Sequence, residues 1–362
     1  MRILHIIDTL GLGGAQTVVK GFFDYQLENN DIFLFALRRG KIITEIKHPN
    51  VTIYDSTSKY SLIPLLKLKK IIKEQKIGIL HCHLFRSTIF GFILKVVWFP
   101  QLKLIVHVHS SILQYGQLYK SFINIFQKKI DVFIAVSFFI KEEIIKNTKV
   151  PAVKIVVIYN FVDLLNFSRD KITWNPIIER KTLGIYPDDF VVGFAGRIVD
   201  LKGWAEFIKA AALLVKEYSR MKFIIVGDGR QKAKMLTLIR RLGLEQSIIY
   251  LGYKSDMVWF YSILDCFVIP SHREAMGITE LEALAMGVPV IASDIKGLNE
   301  VIINNWNGIT FRVGDSIDLA DKIKIMAGDQ MLRTSLIKNA TGDIKKYNLE
   351  SYLNQLKIIY EL

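Results

Sequence analysis

Two glutamates, Glu274 and Glu282, stand eight residues apart across a loop-to-helix junction. Eight helical residues cover about 12 Å and turn roughly 80° beyond two full circles, so both carboxylates look to one side. They are too far apart to share one reacting atom, and well placed to hold two ends of one elongated ligand. Between them, the backbone N–H groups of Met276, Gly277, Ile278 and Thr279 open a helix and suit an anion. A second cluster, Gly196-Arg197 followed by Lys202-Gly203, sets two cations around a glycine turn between a strand and a helix, which is a phosphate site by geometry and charge. His109 ends the apolar run LIVHVHS where a ligand site would open, with His107 as its rival two residues earlier. Near the start, Gly11-Leu12-Gly13-Gly14 lets backbone approach a ligand, although the third glycine of a dinucleotide fingerprint is missing.

The elements that must position these residues alternate regularly. Cys266–Ile269 is a short apolar run closed by Pro270-Ser271, Thr279–Met286 is helix-forming and stopped by Gly287 and Pro289, and Val288–Ala292 is apolar again. Strand, loop, helix, strand is a βαβ unit, and such sheets bind ligands beyond the carboxyl ends of their strands. The same alternation predicts strands over 2–8, Ile32–Leu37, Val51–Tyr54, Ile77–His83, Leu104–His109, Asp131–Ser137 and Ile155–Tyr159. After a polar stretch, it resumes at Phe190, Phe223–Val226 and Ile248–Gly252. The fold class is therefore α/β, with two Rossmann-like doubly wound parallel-sheet domains facing a central cleft. The expected domains are 1–168 and 188–345, joined by a linker within Ser168–Pro187 and followed by an amphipathic helix in 346–362.

Composition narrows the class. A hydrophobic fraction of 51% and a charged fraction of 23% exclude a disordered chain. No run reaches the ~18 apolar residues that cross a bilayer, and the first strand leads into a glycine loop with no cleavage site, so a cytoplasmic protein is expected. Cys82 and Cys266 lack partners at ligand spacing and read as buried free thiols. His81 and His83 share one strand face with Cys82 opposite, and no metal is expected there. The net charge of +14 is uneven: residues 1–165 carry 22 basic against 11 acidic residues, and residues 166–362 carry 26 against 23. The positive first half favours an anionic partner, and no nucleic-acid motif accompanies it. Pro64–Gln75 could lie on a membrane, but reads better as a sheet-packing helix with Leu65, Leu66, Leu68, Ile71 and Ile72 inward and a lysine-rich outer face. Tyr115–Lys129 mixes aromatic and aliphatic residues with Lys120, Lys128 and Lys129 and no acids, as an interfacial helix does, although an ordinary core-facing helix reads equally well.

With Pro270-Ser271 before it and Gly277, Ala283, Gly287, Pro289-Val290 and Glu300 after it, the Glu274-x7-Glu282 string resembles the signature of retaining glycosyltransferase family 4, whose fold is GT-B. The resemblance implies transfer of a sugar from a nucleotide-sugar donor, by family habit a UDP-sugar, to a glycan or lipid-linked acceptor in surface polysaccharide synthesis such as capsule or lipopolysaccharide. It implies that Glu282 holds the ribose, Glu274 the transferred sugar, and Arg197 and Lys202 the pyrophosphate. His109 would lie beside the donor sugar, and Gly13 and Gly14 near the donor phosphates. No cofactor or metal is implied. Relatives with lipid-linked acceptors dock on anionic membranes through the first domain, so a peripheral position at the inner face of the cytoplasmic membrane is expected. The C-terminal helix is expected to cross back to brace the first domain. Met276 stands where phenylalanine is usual and Lys296 where glycine is usual, which bears on donor identity. An epimerase of the same fold and a non-catalytic sugar-nucleotide-binding module are the alternatives.

Overall fold

A computed structural model describes residues 1–11, 13–26, 31–40, 46, 48–54 and 61–361. Leu12 of the glycine loop and Leu362 of the last helix lie outside the described residues. The chain divides into two compact units, Met1–Asn160 with Tyr352–Leu362, and Phe161–Ser351.

The first unit is built on a seven-stranded sheet of β1 (Arg2–Ile7), β2 (Ile32–Ala36), β3 (Val51–Ile53), β4 (Ile77–His83), β5 (Lys103–Val108), β6 (Val132–Ala135) and β7 (Ile155–Val157). Their order is β3-β2-β1-β4-β5-β6-β7, with every pairing parallel. The reversal of direction between β1 and β4 is the switch point where such sheets place ligand loops. The second unit holds a six-stranded parallel sheet of β8 (Phe190–Ala195), β9 (Met221–Val226), β10 (Ile248–Tyr250), β11 (Cys266–Ile269), β12 (Val290–Ser293) and β13 (Ile309–Phe311). Its order is β10-β9-β8-β11-β12-β13, with the switch point between β8 and β11. Parallel strands buried on both faces read as continuous apolar runs, which is why they are legible in the sequence.

Two readings need correction. The stretch 168–187 is no free linker. Arg169 Nε donates to Met286 O at 3.0 Å, Trp174 Nε1 donates to Ser262 Oγ at 3.0 Å, and Arg180 Nη2 lies 2.9 Å from Asp265 Oδ1, so side chains of this polar stretch tie it to the helix ends and turns that flank β11 in the second unit. Second, Leu66 of the helix Ile63–Glu74 is 63% exposed, while Leu65, Leu68 and Ile72 are buried, because a sheet-packing helix buries a stripe too narrow for every leucine. Strand β13 and the helices Ser316–Gly328 and Gln330–Asp343 complete the second domain beyond the elements read from the sequence.

Candidate functional site

The second-domain site is assembled by close backbone approach. Gly203 sits in the left-handed region at φ +66°, and a Cβ there would lie 1.8 Å from Pro270 O. A glycine is therefore required where the start of the helix Trp204–Leu214 meets the end of β11. That contact brings Lys202 to the loop after β11, where its ammonium forms an ion pair with Glu274 Oε2. The two side chains are 21% and 15% exposed. Ser271 Oγ approaches the same carboxylate oxygen at 3.4 Å. From the other side, a Cβ on Gly297 would lie 2.0 Å from Glu274 O, so a second glycine holds the loop. Arg197 follows β8 in the neighbouring turn and is exposed, with no ion-pair partner among the described residues. Gly196 N donates to Val226 O at 3.0 Å, which fixes that turn to the end of β9.

The helix that carries the second glutamate is Thr279–Ala285. Glu282 is buried, and its Oε2 lies 3.0 Å from Tyr261 Oη, which is also 3.1 Å from Thr279 O. One hydroxyl proton cannot serve both acceptors. The phenol donates either to Glu282 Oε2 or to the Thr279 carbonyl, and protonation of Glu282 lets the acid donate to Tyr261 Oη while the phenol donates to the carbonyl, so both contacts then carry a proton. Burial accordingly pushes Glu282 up to about 8, against the opposing effect of the Tyr261 bond. Glu280 is a residue that sequence reasoning missed. It is fully buried, its Oε1 accepts from Gly277 N at 2.6 Å, and burial with the negative charge of Glu274 raises it to about 7. The Gly277 amide, one of those read as anion-binding, is therefore already engaged by a carboxyl of its own helix. Its signal was available: a glutamate three residues after a loop glycine, in the first turn of a helix, reaches back as a cap does.

In the first domain the residues also gather at strand ends. Gly13 and Gly14 follow β1 and open the helix Gly14–Tyr25. Asp8 Oδ1 accepts from Ser87 N at 2.7 Å and Oδ2 from Arg86 N at 3.1 Å, tying the end of β1 to the helix Phe85–Ile93. His109 is buried one residue past β5, and the loop beyond it is held by Ile112 N donating to Glu143 Oε1 at 2.7 Å. The sequence reading left His81 and His83 without histidine neighbours at ligand spacing. Parallel pairing corrects that: His5 lies beside His81 and His107 beside His83 in register. Nitrogens of His5, His81 and His83, and of His83, His107 and His109, come within 4.8 Å of one another. Three separate strands contribute, so no spacing along the chain reveals the cluster. Cys82 turns to the opposite face, against Gly91, and both cysteines are buried free thiols.

Two Rossmann-like domains, each built on a parallel sheet with its loops at the carboxyl ends of the strands, are the architecture of the GT-B fold. Residues 177–343 match the family described as glycosyl transferases group 1, and residues 12–165 match glycosyltransferase family 4. The chain is a GT-B-fold glycosyltransferase related to these two families. It is 26% identical over 306 residues to an uncharacterised glycosyltransferase of Methanocaldococcus jannaschii, covering 81% of this chain and 77% of that one. It is 28% identical over 310 residues to the UDP-Gal:alpha-D-GlcNAc-diphosphoundecaprenol alpha-1,3-galactosyltransferase of Escherichia coli, covering 82% and 78%. Among solved structures, Anabaena HepE in complex with UDP and glucose superposes with a TM-score of 0.88 at 21% identity over the whole of both chains.

Proposed function

We propose that this glycosyltransferase moves a sugar, with retention of anomeric configuration, from a UDP-sugar to a lipid-linked glycan in surface polysaccharide synthesis. The observation that carries the reading is the Lys202–Glu274 pair beside exposed Arg197, on loops that follow β11 and β8. In this reading the donor diphosphate takes Arg197 and Lys202, and the sugar hydroxyls take Glu274. Glu282 meets the ribose, and the Gly196 turn, Met276, Gly277, Ile278 and Thr279 line the donor. Gly13, Gly14 and His109 belong to the sugar and acceptor side. The UDP held by HepE and the UDP-galactose in the name of the E. coli relative support a uridine donor.

Negative charge grows on the diphosphate as the glycosidic bond breaks, so preorganised cations stabilise the transition state more than the ground state. They supply the charge that a metal ion supplies elsewhere, and the reaction is metal-independent. The acceptor hydroxyl attacks on the face the diphosphate leaves, and its proton passes to the departing phosphate oxygen.

A peripheral position on the cytoplasmic face of the membrane fits the helix Gly116–Phe126. It buries Tyr119 and Ile123 yet leaves Leu118 83% and Ile125 67% exposed, with exposed Lys128 and Lys129 just beyond. Among the described residues no helix is long and apolar enough to cross a membrane.

The test is a panel of nucleotide sugars in the presence of a chelator, comparing wild type with Glu274→Ala and Arg197→Ala. Release of UDP from one donor, lost in both variants, supports the reading. Tight binding without turnover, unchanged by Glu274→Ala, sinks it. An inverted product anomer removes the retaining mechanism alone.

A further inference from the structure

Five histidines of the first domain, His5, His81, His83, His107 and His109, stack on one face of the sheet with Tyr360 of the helix Leu349–Glu361. Their ring geometry falls into three kinds. The pairs in register across neighbouring strands, His5–His81 at 4.6 Å and 35° and His83–His107 at 5.5 Å and 33°, are tilted. Three diagonal pairs on neighbouring strands meet edge to edge: His5–His83 with centroids 5.3 Å apart and planes at 14°, His81–His107 at 5.3 Å and 13°, and His83–His109 at 5.2 Å and 30°. Each of these pairs has facing nitrogens at hydrogen-bond distance. His5 Nδ1 lies 3.0 Å from His83 Nε2, His83 Nδ1 2.9 Å from His109 Nε2, and His81 Nε2 3.2 Å from His107 Nδ1. Pairs two apart on one strand stack face on face instead, at 4.4 Å for His81–His83 and 4.1 Å for His107–His109.

The stack is thus two hydrogen-bonded tiers, His5–His83–His109 and His81–His107. One hydroxyl joins them: Tyr360 Oη lies 2.8 Å from His81 Nδ1 and 3.3 Å from His5 Nε2. At the far ends, His109 Nδ1 and His107 Nε2 are buried without a partner among the described residues. Burial pushes all five imidazoles down, His5 and His109 to about 3, so each is neutral near pH 7 with one N–H and one lone pair.

A neutral chain of this kind has two fully bonded arrangements. If Tyr360 donates to His81, then His81 Nε2 donates to His107, and His107 Nε2 carries its proton outward. Tyr360 then accepts from His5 Nε2, His5 Nδ1 accepts from His83 Nε2, and His83 Nδ1 accepts from His109 Nε2. His109 Nδ1 is left as a bare lone pair. If Tyr360 donates to His5 instead, every bond reverses, and His109 Nδ1 becomes a donor while His107 Nε2 becomes the lone pair. All five rings carry the proton on Nε2 in the first arrangement and on Nδ1 in the second. Conversion takes one proton up at His109 Nδ1, shifts one across each bond including Tyr360, and releases one at His107 Nε2, with no change in net charge.

We propose that Tyr360 is a positioning residue that couples the two tiers, so that the hydrogen-bonding polarity His109 presents at its outer nitrogen is set by the orientation of one part-buried hydroxyl. This rests on the reading of His109 as a site residue. A neutral group of fixed polarity can orient a sugar hydroxyl without bringing a charge, and a buried chain holds it there before the substrate arrives.

The experiment is ¹⁵N and ¹³C NMR of the imidazoles in the wild-type chain at pH 7 after dialysis against a chelator. His→Gln variants at single positions assign the signals, and His48 and His272, outside the stack, serve as references. One common tautomer in all five rings is the expected result. Mixed tautomers, an imidazolium, or a spectrum that shows retained zinc overturns the proposal. In Tyr360→Phe the His5–His83–His109 tier and the His81–His107 tier should titrate between tautomers independently, and kcat should fall roughly tenfold with little change in KM, the scale of one hydrogen bond. A Tyr360→Phe chain whose five rings keep one shared tautomer also overturns it. Should His109→Ala retain full activity while the wild-type rings share one tautomer, the assignment of His109 to the active site fails and the coupling through Tyr360 stands.

Discussion

Replacing Glu274 by glutamine removes one charge from an ion pair whose other half is largely enclosed. The Lys202 and Glu274 side chains are 21% and 15% exposed. Two unit charges in contact interact by about 5 kcal/mol at an effective dielectric constant of about 20, and desolvation takes back much of that. A coupling energy of about 1–3 kcal/mol is therefore expected from the double-mutant cycle of Glu274→Gln and Lys202→Met. The single variants leave an uncompensated group in a half-buried site and lose more stability than the pair together. Glu280 adds an internal check, because the negative charge of Glu274 helps to raise it and Glu274→Gln must lower it.

The assay is denaturant unfolding of the four chains followed by tryptophan fluorescence, since four of the five tryptophans, Trp174, Trp204, Trp259 and Trp306, lie in the second domain. Turnover is measured in parallel. On the proposed mechanism each single substitution costs about 10²–10³ in kcat, the scale of one preorganised donor to a developing charge. A coupling energy below about 0.5 kcal/mol would show that the pair does not form in solution. A Lys202→Met chain with unchanged kcat would refute its place at the diphosphate.

Glu282→Gln should change the pH dependence of stability. A carboxyl raised to about 8 in the folded chain, against 4.5 for an ordinary glutamate, stays protonated while the unfolded chain ionises. Stability therefore falls as pH rises from about 4.5 to 8 and is recovered on acidification, by at most about 5 kcal/mol. The glutamine variant should flatten that slope in thermal melts at pH 5 and 8, and an unchanged slope counts against the buried acid. Gly203→Ala should destabilise the second domain by more than 2 kcal/mol, roughly, since both the left-handed backbone and the Pro270 carbonyl oppose a side chain; an unaltered melting temperature would contradict the packing described. Leu118→Asp with Ile125→Asp should weaken binding to anionic vesicles in flotation assays while leaving the melting temperature nearly unchanged, as both positions are exposed. Equal flotation would remove that helix from the membrane reading.

Much of the architecture was written along the chain. Apolar runs such as Cys266–Ile269 and Val290–Ser293 are continuous because a parallel sheet covered on both faces buries every residue, and helix stops such as Gly287 are local chemistry. The Glu274 loop and the Arg197 turn were legible for the same reason: each follows one strand within one βαβ unit. Tertiary structure decided what those residues touch. Lys202 and Glu274 are 72 residues apart and meet only because Gly203 and Pro270 pack together. The Gly277 amide is taken by Glu280, and Glu282 is matched to Tyr261, pairings that depend on where the short helix Thr279–Ala285 is set down. The histidine tiers show the limit most plainly. Period-two alternation places His81 with His83 and His107 with His109, but strand order and register bring those pairs, His5 and Tyr360 into one stack, since contacts across a sheet leave no periodicity in the sequence.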